Sequence, residues 1–310
     1  MLTIRRILFP TDFSDNAARA FPRAVSLADR HDAELHVVHV TEPSTTPSKH
    51  SKRGLPVSPD VLSEWLGQPS MEAGLDLDDL TIIQKQISSG TPPERLLAYV
   101  EDQGIDLVVM GTHGRRGVQR MLLGSVTEEV VRKAPCPVLT VNPEAEIQPT
   151  PTLRRILVPV DFSDAAKAAV RHAQQLALLY GAKLHLLHVV EEVVYPSAYG
   201  VEPPVLPIED VVNRVETSMG AMVRDELGDE HVEVTATVGY APMTILDYAE
   251  DTGADLIVIA THGRSGLDRV LLGSVAERVL RQSPIPVFVV KPEQKSLEPS
   301  RTAAAGADHA

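Results

Sequence analysis

Apolar positions along the chain follow two alternating rhythms. Short runs rich in β-branched residues, at 4–9, 34–40, 81–87, 106–110 and 137–141, have the length and composition of buried strands. Between them the apolar positions fall at helical spacing. Ala17, Phe21, Ala24, Val25 and Ala28 make one stripe, which predicts a helix from Ser14 to about His31. Pro22 lies inside that helix and is expected to kink it. A second helix is predicted over 92–103, where Pro92 is tolerated in the first turn, and a third over 126–133. Residues 41–80 are irregular, apart from a helical stretch at 61–66. Strands alternating with helices predict an α/β fold with parallel pairing and right-handed crossovers.

The whole pattern then returns at a constant offset of 149 residues. Arg5-Arg6-Ile7-Leu8 matches Arg154-Arg155-Ile156-Leu157, and the segment from Pro10 to Asp15 matches that from Pro159 to Asp164. Residues 104–143 and 253–292 share 23 identities in 40 positions. Such a period is a duplicated domain, not a short solenoid unit. The second copy is clearer in its middle, with a helix expected over 208–227 and a strand over 232–238. The expected organisation is a first domain at 1–142, a linker at 143–152, a second domain at 153–292 and a disordered tail at 293–310.

Composition narrows the function classes. The net charge of −13 offers no positive field, which argues against a nucleic-acid binder or an anionic-membrane binder. It leaves room for one small anion in a local pocket. Cys136 is the single cysteine, so an intrachain disulfide and a multi-Cys zinc site are excluded, and a packed thiol is expected. No stretch approaches 18 apolar residues, and the first residues lack a signal-peptide pattern, so a cytoplasmic location is expected.

The candidate chemistry sits in the segment from Gly111 to Ser125, reading GTHGRRGVQRMLLGS. It reads as strand, glycine loop and helix. Glycine lets backbone N–H groups approach an anion, and a helix N-terminus adds unpaired donors and a positive dipole end. The second copy runs from Ala260 through Gly263 and Gly273 to Ser274. In a doubly wound sheet ligands sit at the carboxyl ends of strands, where Asp12, Val40 and this loop converge. Asp161, Val189 and the second loop repeat the set.

Each residue also has a plainer reading. Asp12 could only tie down a turn. Ser125 with Glu128, and Ser274 with Glu277, have capping-box spacing, which would make each serine an N-cap. His113, His262, Arg115 and Arg264 could meet phosphates or simply face solvent. His36 and His39, like His185 and His188, lie three apart on a strand and so point to opposite faces, which rejects a metal site there. No nucleophile with a partnered base is evident, so no catalytic residue is assigned.

Together these residues resemble the universal stress protein family, in tandem form and in its ATP-binding branch, over nearly the whole chain. The frame Gly-x-x-Gly, nine residues, Gly-Ser is met by Gly111, Gly114, Gly124 and Ser125, and a Gly-x-Pro by Gly90 to Pro92. The resemblance implies two doubly wound domains, each a five-stranded parallel sheet of order 3-2-1-4-5 flanked by helices. It implies pairing of the last strands of the two domains, Val138 to Val141 with Val287 to Val290. It implies ATP with magnesium or manganese on its phosphates. Adenine would lie near Asp12 and Val40 and ribose near Gly111, with Pro10, Thr11, Met110 and Thr112 as further nucleotide-binding residues. Phosphates would lie on Gly114, Gly124, Ser125 and Val126, beside His113 and Arg115. In the second copy Asp161, Val189, Gly263, Arg264, Gly273, Ser274 and Val275 match, but Ala260 stands where the frame has its first glycine, and the added methyl would weaken that site. The residues are compatible with ATP and with a cyclic adenine nucleotide. The function implied is a nucleotide-dependent stress-response regulator, with slow hydrolysis or a nucleotide-independent scaffold as alternatives. Protein partners and a homodimer are compatible with it.

Overall fold

The computed structural model describes residues 3–41, 65–67, 77–88, 90–112, 123–142, 153–191, 207–228, 232–261 and 272–292. The first domain runs β1 (Arg6–Pro10), α1 (Asp15–His31), β2 (Glu34–Thr41), β3 (Ile82–Ser88), α2 (Pro92–Gln103), β4 (Leu107–Gly111), α3 (Ser125–Lys133) and β5 (Val138–Val141). The second runs β6 (Arg155–Pro159), α4 (Asp164–Tyr180), β7 (Lys183–Val190), α5 (Ile208–Leu227), β8 (Glu233–Val238), α6 (Ala241–Asp251), β9 (Leu256–Ala260), α7 (Ser274–Gln282) and β10 (Val287–Val290).

Within each domain the strands are parallel in the order 3-2-1-4-5. The two sheets join through β5 and β10, which pair antiparallel with Leu139 opposite Phe288. One ten-stranded sheet results, β3-β2-β1-β4-β5-β10-β9-β6-β7-β8. Both joining strands are buried along their whole length, as two-sided strands in the middle of a sheet must be. The seam protects two strands that would otherwise be open sheet edges.

Helices cover both faces. The first core layer holds Phe9, Phe21 and Val25 with Val170, Met219 and Val223, and so packs α1, α4 and α5 on one side. The second holds Leu8, Leu96 and Val130 with Leu246, Val279 and Leu280, and packs α2, α3, α6 and α7 on the other. Neighbouring strand residues thus serve opposite layers, as the pleat requires. Each layer runs through both domains. Side chains also cross the seam: Arg30 donates to the Leu179 carbonyl at 3.2 Å and lies over the Tyr180 ring at 4.3 Å. Lys291 donates to the carbonyls of Arg132 and Ala134 at the end of α3.

Helix α1 begins as its sequence dictates, with Ser14 Oγ accepting from the Ala17 N–H at 3.2 Å. It runs unbroken through Pro22, which is buried against the core. The first strand starts two residues later than the apolar pattern suggests. Ile4 is buried without belonging to the strand, and hydrophobicity reports burial rather than pairing. Of the stretch expected to be helical at 61–66, Trp65 and Leu66 are described and are helical, and 61–64 lie outside the described residues. The expected linker at 143–152 and the tail from 293 onward also lie outside them.

Candidate functional site

Strand order brings the sequence-selected residues to one edge. β1 lies between β2 and β4, so their carboxyl ends are adjacent. Pro10 closes β1 and pairs with Val38, and the Thr11 N–H donates to the Val38 carbonyl at 2.9 Å. Val40 follows two residues on, opposite Ile87. On the other side Gly111 closes β4 opposite Val141, after the buried Met110.

The loop that departs from β4 is closed at its base. The Thr112 N–H donates to the Val141 carbonyl at 3.0 Å, and the Gly124 N–H donates to the Thr112 carbonyl at 2.9 Å. The second bond returns the chain to the strand end, so Gly111, Thr112, Gly124, Ser125 and Val126 meet at one place. Thr112 is 1% exposed and cannot be displaced without opening this base. His113, Gly114 and Arg115 lie outside the described residues.

The start of α3 corrects one sequence expectation. Gly124 is the N-cap, in an extended conformation, and Ser125 is the first helical residue. Among the described residues no side chain caps this helix, and the same holds for Gly273 and Ser274 in α7. The Ser-x-x-Glu spacing is present, but the box needs serine one position earlier. The first-turn N–H groups of α3 have no intrahelical acceptor and, among the described residues, no side-chain cap, which suits an anion.

Asp12 does hold a turn. Its Oδ1 accepts from the Ser14 N–H at 3.1 Å, and Asp161 accepts from the Ser163 N–H at 3.0 Å. Between them Phe13 and Phe162 adopt left-handed backbone, with φ of 62° and 65°. Such a conformation is costly for an aromatic residue and persists because its surroundings fix it. The Phe13 N–H donates to Thr11 Oγ1 at 3.0 Å. Its ring lies 4.4 Å from that of His39, whose Nδ1 is 2.8 Å from the Thr11 carbonyl oxygen. Trp65 completes the group, 5.8 Å from Phe13 and 5.8 Å from Phe21. A wall of aromatic rings therefore adjoins Asp12 through Phe13. The second domain keeps Phe162 against His188, with ring centroids 5.0 Å apart.

Sequence reasoning missed one contact in the first site. Thr127 Oγ1, on a residue 4% exposed, donates to the Gly111 carbonyl at 2.9 Å and ties the first turn of α3 to the end of β4. At the matching positions of the second domain stand Ala276 and Ala260. That difference was visible in the repeat itself. In the second site Asp161, Val189, Gly273, Ser274 and Val275 occupy equivalent places, and the Gly273 N–H closes the loop base on the Thr261 carbonyl at 2.7 Å. Gly263 and Arg264 lie outside the described residues.

His36 and His39 do point to opposite faces. His36 is 2% exposed and bonds Tyr99 Oη on α2 at 2.9 Å, near Glu34 at 3.6 Å. Burial pushes its pKa down, against the upward pull of Glu34.

The sequence model of the universal stress protein family matches residues 3–142 and again 152–291. The chain belongs to the universal stress protein family. A universal stress protein of Methanocaldococcus jannaschii is 34% identical over 145 residues, covering 44% of this chain and 82% of that protein. One of Mycolicibacterium smegmatis is 27% identical over 297 residues, covering 90% of this chain and 93% of its own. The fold is shared with a solved universal stress protein of Archaeoglobus fulgidus. Its TM-score is 0.59 at 22% identity, over 93% of this chain and 98% of that one.

Proposed function

We propose that this universal stress protein binds an adenine nucleotide, ATP with magnesium or manganese, at the carboxyl edge of its first domain. In this reading Asp12 and the backbone near Val40 take the adenine and ribose. The first turn of α3, with Gly124, Ser125 and Val126, takes the phosphates together with Gly114. The residues placed at the phosphates, Gly114, Gly124, Ser125 and Val126, offer backbone N–H donors and one hydroxyl, so phosphate oxygens would supply most of the metal's ligands. Occupancy would alter the domain seam or a partner surface, which is how a non-catalytic regulator acts. The proposed units are 1–142 and 153–292, in the cytoplasm.

The observation that carries this reading is the closed base of the glycine loop. It places an uncapped helix N-terminus directly beside the ends of β1 and β4. The second domain shares the backbone but has methyl groups at Ala260 and Ala276, so it is the weaker or silent site. Calorimetric titration of ATP with magnesium is the test. Substituting Gly124 by Val and Ser125 by Ala together should weaken binding at least tenfold. Unchanged affinity in that variant would remove the phosphate assignment.

A further inference from the structure

A cavity of about 190 Å³ lies at the opposite, amino edge of the second domain's sheet. Arg155, Lys183, His185, Glu233 and Thr252 line it over a floor that includes Ile156 and Leu157. Its volume is more than ten times the roughly 10–15 Å³ that one water needs. The first domain shows what the same framework does with a carboxylate. There Arg6 pairs in register with Glu34, whose Oε2 accepts from Arg6 Nε at 3.2 Å and lies 3.6 Å from His36 Nε2. In the second domain Arg155 pairs in register with Lys183. The internal carboxylate has been exchanged for a second cation.

Most of the framework is kept, although Glu233 stands opposite His185 where Ile83 stands opposite His36. Arg6 Nη1 donates to the Gln103 carbonyl, and Arg155 Nη1 to the Thr252 carbonyl. Asp106 accepts from the N–H groups of Arg5 and Arg6, and Asp255 from those of Arg154 and Arg155. His36 bonds Tyr99, and His185 bonds Tyr248 and Thr235 at 2.9 and 3.0 Å. Glu233 lies 3.4 Å from His185 Nδ1 on the far strand, and its side chain is 65% exposed. It answers the histidine, and Arg155 and Lys183 are the two cations of the cavity lining.

We propose that this cavity binds a small carboxylate, which takes on Arg155 the place that the Glu34 side chain takes on Arg6, with Lys183 as the second cation. A planar guanidinium and a flexible ammonium on adjacent strands suit a short dicarboxylate, one carboxylate to each. The site is separate from the glycine loops and does not depend on the nucleotide reading.

The test is a titration of the full chain with succinate, followed by amide ¹H–¹⁵N shifts, with succinamide as the neutral control. Saturable shifts confined to the starts of β6, β7 and β8, at low millimolar succinate, are expected, with none for succinamide. Lys183→Glu rebuilds the first domain's ion pair and should weaken succinate binding at least tenfold; Lys183→Gln should fall between it and the wild type. Added ATP should not displace succinate. The proposal is overturned by the absence of saturable shifts, by equal binding in Lys183→Glu, or by shifts centred on the glycine loops.

Discussion

Thr127 Oγ1 donates to the Gly111 carbonyl at 2.9 Å, and the two residues equivalent to this pair in the second domain are Ala276 and Ala260. The bond links the strand that leads into the glycine loop to the helix that follows it. It makes the two halves of the duplication unequal at the point where a nucleotide would be held.

Thr127→Val keeps the shape and removes the donor. It should cost about 1–2 kcal/mol of stability, because a buried carbonyl loses its partner. It should also weaken ATP binding several-fold, while Thr127→Ser retains both. The reciprocal pair Ala260→Gly with Ala276→Thr should raise nucleotide stoichiometry toward two per chain. Denaturant melts and titrations of the four proteins decide it, and a Val variant indistinguishable from the wild type would show that the bond does not position the site.

Trp65 is the chain's single tryptophan, and its ring meets Phe13 next to Asp12. Nucleotide binding at the first site should therefore change its fluorescence. ATP with magnesium is expected to shift the emission saturably, and the shift should vanish in Asp12→Ala. A nucleotide that binds by calorimetry yet leaves the emission untouched would place it away from this wall.

Lys291 crosses the seam to the end of α3, and burial lowers its pKa from 10.5 to about 8, with Cys136 pulling the other way. The unfolded amine keeps its proton up to about 10.5, whereas the folded one releases it near 8. Between those values the unfolded state binds more protons, so this group makes the fold more stable as pH rises through the window. Lys291→Met should flatten that rise. Thermal melts of both proteins from pH 7 to 10.5 test it, and parallel curves would refute it.

His36 behaves as a buried neutral base. Burial lowers its folded pKa below the ordinary 6.5. The unfolded state then binds the extra proton first as the medium is acidified. The stability this histidine contributes is present above about pH 6.5 and is lost below it. His36→Gln should lessen the loss of stability between pH 6.5 and 5. An unchanged acid limb in urea melts would assign that loss to other groups.

Much of the fold was legible because it is local or repeated. The helix expected over 208–227 is α5, since periodicity and length both mark it. The offset of 149 exposed the duplication, and the family resemblance carried the strand order and the β5–β10 seam. What escaped is long-range or degenerate. Ser125 reads as an N-cap because glycine is also acceptable at that position, so the motif alone does not set the register. Thr127 reaches a carbonyl 16 residues away, and Lys291 one 159 residues away, and no periodicity encodes such distances. The left-handed Phe13 was hidden because its residue type argues against the conformation that its neighbours impose.

The most direct measurement is the nucleotide carried by freshly purified protein, released by denaturation and counted against chains. One ATP per chain, reduced in the Gly124→Val, Ser125→Ala variant, is the predicted result. A protein that is empty, and that takes up no added ATP with magnesium, would contradict the account and leave the glycine loops with a purely structural role.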